Sequence, residues 1–178
     1  YEQEWHSSAA LASPSSGSQG RWLVVGRADQ ELVAALVAIL HERAVVVDMS
    51  DSERLLKCIS DEAWDVVVHA AAVDADAGQQ DVLESVLRVG LSIASRLRGA
   101  SRDEVAPLLC VATFGTQCTR VGAAVPAPQH AGVWALLRCM RSELKGVRAL
   151  AVDLQGSAAS WSGPAVVQEV LRCLPGGG

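Results

Sequence analysis

From Arg21 onward the chain alternates short β-branched apolar runs with longer segments of helical periodicity, and few architectures accept that pattern. The runs are Trp22–Val25, Ala44–Asp48, Asp65–Ala70, Leu108–Thr113 and Val147–Asp153. Strands this apolar have no face left for water, so both faces must be covered. Segments between them carry apolar residues at helical spacing: Leu32, Leu36, Ile39 and Leu40 in the first, Leu55, Leu56 and Ile59 in the second. A third runs from about Asp81 to Leu97, and a fourth holds Val133, Leu137, Met140 and Leu144. Strand and helix in strict alternation build a parallel sheet through right-handed crossovers.

The fold class expected is therefore α/β, a truncated Rossmann-like doubly wound parallel sheet with about five core strands. Asp29 is placed to cap the first helix, which runs to about His41, and Ser50-Asp51-Ser52-Glu53 fits a capping box opening the second. A polar loop, 74–79, precedes the third helix, and a long connection with two prolines, 114–128, precedes the fourth. Ser162 and Pro164 signal a last helix through Val166, Val170 and Leu174. Residues 1–20 read as a short strand, Tyr1–His6, and a Ser/Ala/Gly-rich linker; 21–175 form the α/β domain; 176–178 begin a second linker. The start has no initiator Met, so the chain is expected to be part of a longer polypeptide.

Composition removes several functions. The net charge is −5 and no basic run occurs, so nucleic-acid binding has little electrostatic support. The longest apolar run, Leu32 to Leu40, is far short of a bilayer span, and the acidic N-terminal stretch is not a signal peptide. The five cysteines are scattered without CxxC pairs, which argues for reduced thiols in the cytoplasm and against a metal site. Cys110 and Cys139 lie in apolar stretches and are expected in the core, with Trp22, Trp64 and Trp134. Tyr1, Gln3 and Trp5 alternate on a segment with no partner strand beside it, which suits contact with another domain.

The chemistry of a nucleotide fold is missing from the places that should carry it. Dinucleotide binding needs a glycine-rich turn after the first strand, so that backbone can approach a pyrophosphate. Here the turn is Gly26-Arg27-Ala28-Asp29-Gln30-Glu31, with one glycine, and Arg27 and Glu31 take room a cofactor would use. Asp48 stands where a ribose-binding acid would sit and reads as a solvated strand-end acid. Hydride-transfer sites of the short-chain dehydrogenase kind set a tyrosine one helical turn before a lysine. Pro126 and His130 occupy those places, and the only tyrosine is Tyr1. His130 reads as a helix-start or surface residue, and His69 as a satisfied histidine at a strand end. Thr113 and Thr116 stand where such enzymes carry a serine, and without its tyrosine a hydroxyl there is idle.

The ordered set Tyr1…Trp5, Trp22-Leu23-Val24-Val25-Gly26, Asp65-Val66-Val67-Val68-His69 and Leu109-Cys110-Val111-Ala112-Thr113 resembles the structural subdomain of ketoreductases in modular polyketide synthases. Trp134-Ala135-Leu136-Leu137-Arg138, Glu143 and Ala151-Val152-Asp153-Leu154 complete the resemblance, which covers nearly the whole chain. It implies a first, truncated half that binds no cofactor and buttresses a second. The second half would carry NADPH, serine and tyrosine and reduce a β-ketoacyl group held on an acyl carrier protein. No catalytic, cofactor-binding or metal-binding residue carries over to this chain. The expected partners are the catalytic half, contacted through the opening strand, neighbouring synthase domains and, indirectly, the carrier protein. Such subdomains also accompany inactive ketoreductases and occur in fatty acid synthases. Two other readings stay open: a divergent nucleotide-binding dehydrogenase with His69 or His130 as base, and a degenerate Rossmann module for protein interaction.

Overall fold

Five apolar runs pair side by side into one parallel sheet in the computed structural model, which describes residues 20–70, 73, 77–100, 105–116 and 128–154. The strands are β1 Trp22–Val25, β2 Ala44–Val47, β3 Val66–His69, β4 Leu108–Phe114 and β5 Arg148–Leu154. They lie in the order β2-β1-β3-β4-β5, with Val24 opposite Val46 and Val68, and Cys110 opposite Val68 and Leu150. This is the flavodoxin-type order of doubly wound sheets. It also results when the third strand is removed from the six-stranded dinucleotide-binding order. The opening strand, its linker and the last helix of the sequence reading lie outside the described residues.

Four helices connect the strands: α1 Glu31–Leu40, α2 Ser52–Asp61, α3 Gln79–Gly99 and α4 Gly132–Glu143. The path steps from β1 to β2 in one direction and then returns across β1 to β3, β4 and β5. Right-handed crossovers therefore put α1 on one face and α2, α3 and α4 on the other. The core divides the same way. Trp22, Val24, Val66, Val68, Leu108 and Cys110 pack with α1, while Leu23, Val25, Val67, Leu109 and Val111 pack with the other three helices. Every residue of β1 and β3 is buried, as two covered faces require.

Several local expectations are corrected. Asp29 does not cap α1: its carboxylate accepts a hydrogen bond from Arg27 Nε at 3.1 Å, and the cap position is held by Gln30, which makes no side-chain cap bond. The second helix is capped by Asp51, whose carboxylate accepts the Arg54 N–H at 3.1 Å. Ser50 instead serves Asp48, and the Asp51 N–H donates to the Asp48 carbonyl, so a single Asp51 cap replaces the expected box. Cys110 is buried, but Cys139 is exposed, because the inner stripe of α4 is Val133, Leu137 and Met140. Trp22 and Trp64 are buried as expected, with Arg21 stacked over the Trp64 ring, whereas Trp134 is half-buried for a reason given below.

Candidate functional site

In open α/β sheets, ligands bind outside the carboxyl ends of the strands where the strand order reverses. Here that place lies between β1 and β3, flanked by Gly26 and His69. Asp48, His69, Thr113 and Thr116, singled out in the sequence, follow or end strands at this edge of the sheet.

Gly26 follows β1, and its N–H donates to Val47 O at 3.0 Å, extending the sheet ladder by one bond. A methyl group at Gly26 would lie 2.7 Å from Gln30 Oε1 and 3.0 Å from Val33 Cγ2. The glycine is thus required by close packing, and the space above it is filled by the chain's own side chains. Arg27 folds back onto Asp29 across the exposed lip of the turn, while Glu31 is exposed as the first residue of α1. Asp48 follows β2. Its Oδ1 accepts the Ser50 N–H at 2.9 Å and the Ser50 hydroxyl at 2.7 Å. Those two bonds hold its carboxyl below the ordinary value; partial burial opposes them, and the Arg27 charge adds a smaller lowering.

His69 ends β3 and points toward the three-helix face. It is wholly buried, with Nε2 2.9 Å from Ser85 Oγ on α3 and no hydrogen-bond partner at Nδ1. Burial alone pushes its pKa down to about 4, so the ring is neutral near pH 7. The expected satisfied histidine is therefore satisfied on one nitrogen only. His130 was expected at a helix start or on the surface. It does precede α4, within the 3-10 turn Pro128–Ala131, but it is buried, with Nε2 3.3 Å from Ala77 O. Pro126, Tyr1, Gln3 and Trp5 lie outside the described residues.

Thr113 and Thr116 have structural partners on β5 and α4. Gly115 takes the left-handed conformation (φ 52°) just past β4 and turns the chain so that Thr116 meets Asp153 on β5. Asp153 Oδ1 accepts the Thr113 hydroxyl at 2.7 Å, the Thr116 hydroxyl at 2.8 Å and the Thr116 N–H at 3.0 Å. Trp134 Nε1 donates to Thr116 Oγ1 at 2.9 Å and reaches Thr113 Oγ1 at 3.3 Å, which is why its ring sits over the sheet edge rather than in the core. Both hydroxyls lie within hydrogen-bond distance of the carboxylate and 3.1 Å from each other, and the indole N–H takes up oxygen lone pairs. Sequence reasoning missed this cluster. Its one signal was an acid on an otherwise apolar strand, Ala151-Val152-Asp153-Leu154. Among the described residues no group of His, Cys, Asp and Glu is arranged to hold a metal ion, and no helix is long and apolar enough to cross a membrane.

No family model matches the chain. No curated protein matches it either. Among solved structures, it is similar to A-type ketoreductases from a modular polyketide synthase, with a TM-score of 0.61 and 20% identity over 88% of this chain. An A1-type ketoreductase structure matches with a TM-score of 0.61 and 19% identity. The protein lin1944 from Listeria innocua matches with a TM-score of 0.57 and 14% identity, over 89% of this chain and 95% of that one. The chain spans 35% of the length of the two ketoreductases. At these identities the likeness establishes the fold, a Rossmann-like α/β sheet shared with ketoreductases.

Proposed function

We propose that this chain is the structural half of a polyketide synthase ketoreductase, a scaffold that takes no nucleotide and performs no reduction itself. The observation that carries the reading is that, among the described residues, the chain's own side chains occupy the two places at the carboxyl edge where the chemistry would sit. A pyrophosphate needs bare backbone at the turn after β1, and Gln30 and Val33 lie against Gly26 there. A carbonyl substrate needs a hydroxyl free to donate to it, and Thr113 and Thr116 are engaged with Asp153, each other and the Trp134 indole. The fold likeness to ketoreductases, over about a third of their length, supports the same assignment.

In this reading NADPH belongs to the catalytic half, and this chain's contribution is a rigid sheet against which that half docks through Tyr1, Gln3 and Trp5. The β-ketoacyl group on its carrier protein meets the catalytic half, not this chain. The alternative of a divergent dehydrogenase has less in its favour: His69 is buried beneath α3 with a serine as partner, and His130 is buried against a backbone carbonyl.

Two assays test the proposal. The chain alone, given NADPH and a β-ketoacyl thioester, is expected to show no reduction above buffer. Co-expressed with the catalytic half, it is expected to co-purify, and Trp5→Ala is expected to weaken that association at least tenfold. Reduction by the isolated chain, lost in His130→Ala, would refute the scaffold reading.

A further inference from the structure

Two buried histidines hold the beginning of α3 in place. His69, the last residue of β3, has its Nε2 2.9 Å from Ser85 Oγ, two turns into the helix. His130, just before α4, has its Nε2 3.3 Å from the Ala77 carbonyl, two residues ahead of the helix. The N-cap of α3 is Gly78, which offers no side-chain cap, and Gln80 bonds Glu84 on the helix itself. Beyond Ser85 the helix is fastened to its neighbours. Arg88 bonds Ser52, Arg96 reaches the Ile59 carbonyl on α2, and Met140 of α4 lies against Gly90. The turns before those anchors rest on the two histidine contacts and on the buried Val82 and Val86.

The His69 contact is one that acid opposes. The ring is wholly buried, and its Nδ1 has no hydrogen-bond partner. Its neighbours across the sheet are Val25 on β1 and Val111 on β4, which cannot balance a charge. On α3, Ser85 is neutral, Asp81 and Glu84 are exposed, and Arg88 is engaged with Ser52. The inner residues of α2 are Leu55 and Ile59, and those of α4 are Val133, Leu137 and Met140, with His130 ahead of them. A proton on the ring therefore has no nearby anion to stabilise it, and burial is the cause of its low pKa.

We propose that the His69–Ser85 contact is an acid-sensitive latch: protonation of the ring releases the first two turns of α3 from the end of β3 while the sheet stays folded. Segments with few anchors open on their own, at a lower free energy than the whole molecule. In the closed form the ring takes a proton only near pH 4, whereas in the opened form it meets water and titrates near 6.5. Acid between those values favours the opened form. From pH 7 to pH 5 the linkage raises the opening equilibrium about twentyfold. The beginning of α3 stands at the carboxyl edge beside β3, so the latch loosens one wall of that edge and leaves the strands paired. The proposal goes beyond the scaffold reading and does not need it.

Native-state hydrogen exchange of the whole chain at pH 7 and pH 5, corrected for intrinsic rates, decides it. The amides of residues 82–86 are expected to open about twentyfold more at pH 5, with no response to about 0.5 M urea. The β4 amides are expected to be better protected at both pH values and to respond to urea, because they exchange through global unfolding. His69→Leu keeps the ring's place filled and is expected to abolish the pH response of 82–86. Ser85→Ala removes the partner but leaves the titrating ring. It is expected to raise opening at both pH values and to keep the twentyfold ratio, to within about a factor of two. Circular dichroism at pH 7 checks that each variant folds; if His69→Leu does not, wild type and Ser85→Ala carry the test. Equal opening of 82–86 at the two pH values overturns the proposal. So does a pH response that survives His69→Leu, or exchange of 82–86 only together with β4 and with its urea dependence. None of these results bears on nucleotide binding, so the two proposals fail separately.

Discussion

His69 is held neutral by burial, and that makes it a residue through which acid acts on the fold. Its pKa is about 4 in the native chain and near 6.5 when unfolded. Above pH 6.5 the ring is neutral in both states and contributes nothing. As pH falls below that value the unfolded chain gains a proton that the native chain refuses, so stability is lost down to about pH 4. The loss between pH 7 and pH 5 is expected to be about 2 kcal/mol. Urea titrations at the two pH values measure it, and His69→Leu is expected to remove that part of the difference. A wild-type stability that does not fall between pH 7 and pH 5 would contradict the assignment. Gly26 gives a second test at this scale. Gly26→Ala is expected to cost about 1–2 kcal/mol, because its methyl would press on Val33 Cγ2 at 3.0 Å and Ala70 Cβ at 3.3 Å, with a smaller part for turning aside the Gln30 amide at 2.7 Å. Adding Gln30→Ala is expected to recover that smaller part of the loss, with the Val33 and Ala70 contacts accounting for the remainder. A double variant no more stable than the single one would remove Gln30 from the account. The sequence marked Gly26 as a lone turn glycine. It did not disclose the Gln30 side chain lying over it, because a tertiary contact of that kind leaves no spacing pattern.

The elements were legible in proportion to how local their causes are. Four-residue runs such as Val66-Val67-Val68-His69 announce buried strands, and the inner stripe of α4 announces its helix. Helix caps were less legible, since several side chains near each start compete for the same N–H groups. At α2 the chain offers Ser50, Asp51 and Ser52, and Asp51 takes the cap while Ser50 binds Asp48. At α1, Asp29 is drawn away by Arg27. Asp51→Ala is accordingly expected to cost about 1 kcal/mol, and Asp29→Ala less than about 0.5 kcal/mol. Thermal or urea unfolding of the two variants ranks them, and equal losses would show that Asp29 has a role the geometry lacks. The Asp153 cluster belongs to this scale too. It joins the ends of β4 and β5 to α4, and no local pattern links Thr113, Trp134 and Asp153 across that span of chain.

For the molecule as a whole, the alternation of strand and helix was enough to specify the parallel sheet, but not the division of its helices. That follows from the strand order, which sets α1 alone against α2, α3 and α4 among the described elements. The same order brings Gly26, Asp48, His69 and Thr113 to one edge, where a nucleotide enzyme keeps its chemistry. Among the described residues, this edge carries packing at Gly26, hydrogen bonds within the chain at Asp48 and Asp153, and the Trp134 indole. The central claim is that this edge admits no dinucleotide, and titration of NADPH into the isolated chain, followed by calorimetry, tests it most directly. The expected result is no binding heat up to about 1 mM cofactor. A saturable micromolar affinity that disappears in Arg27→Ala would contradict the claim.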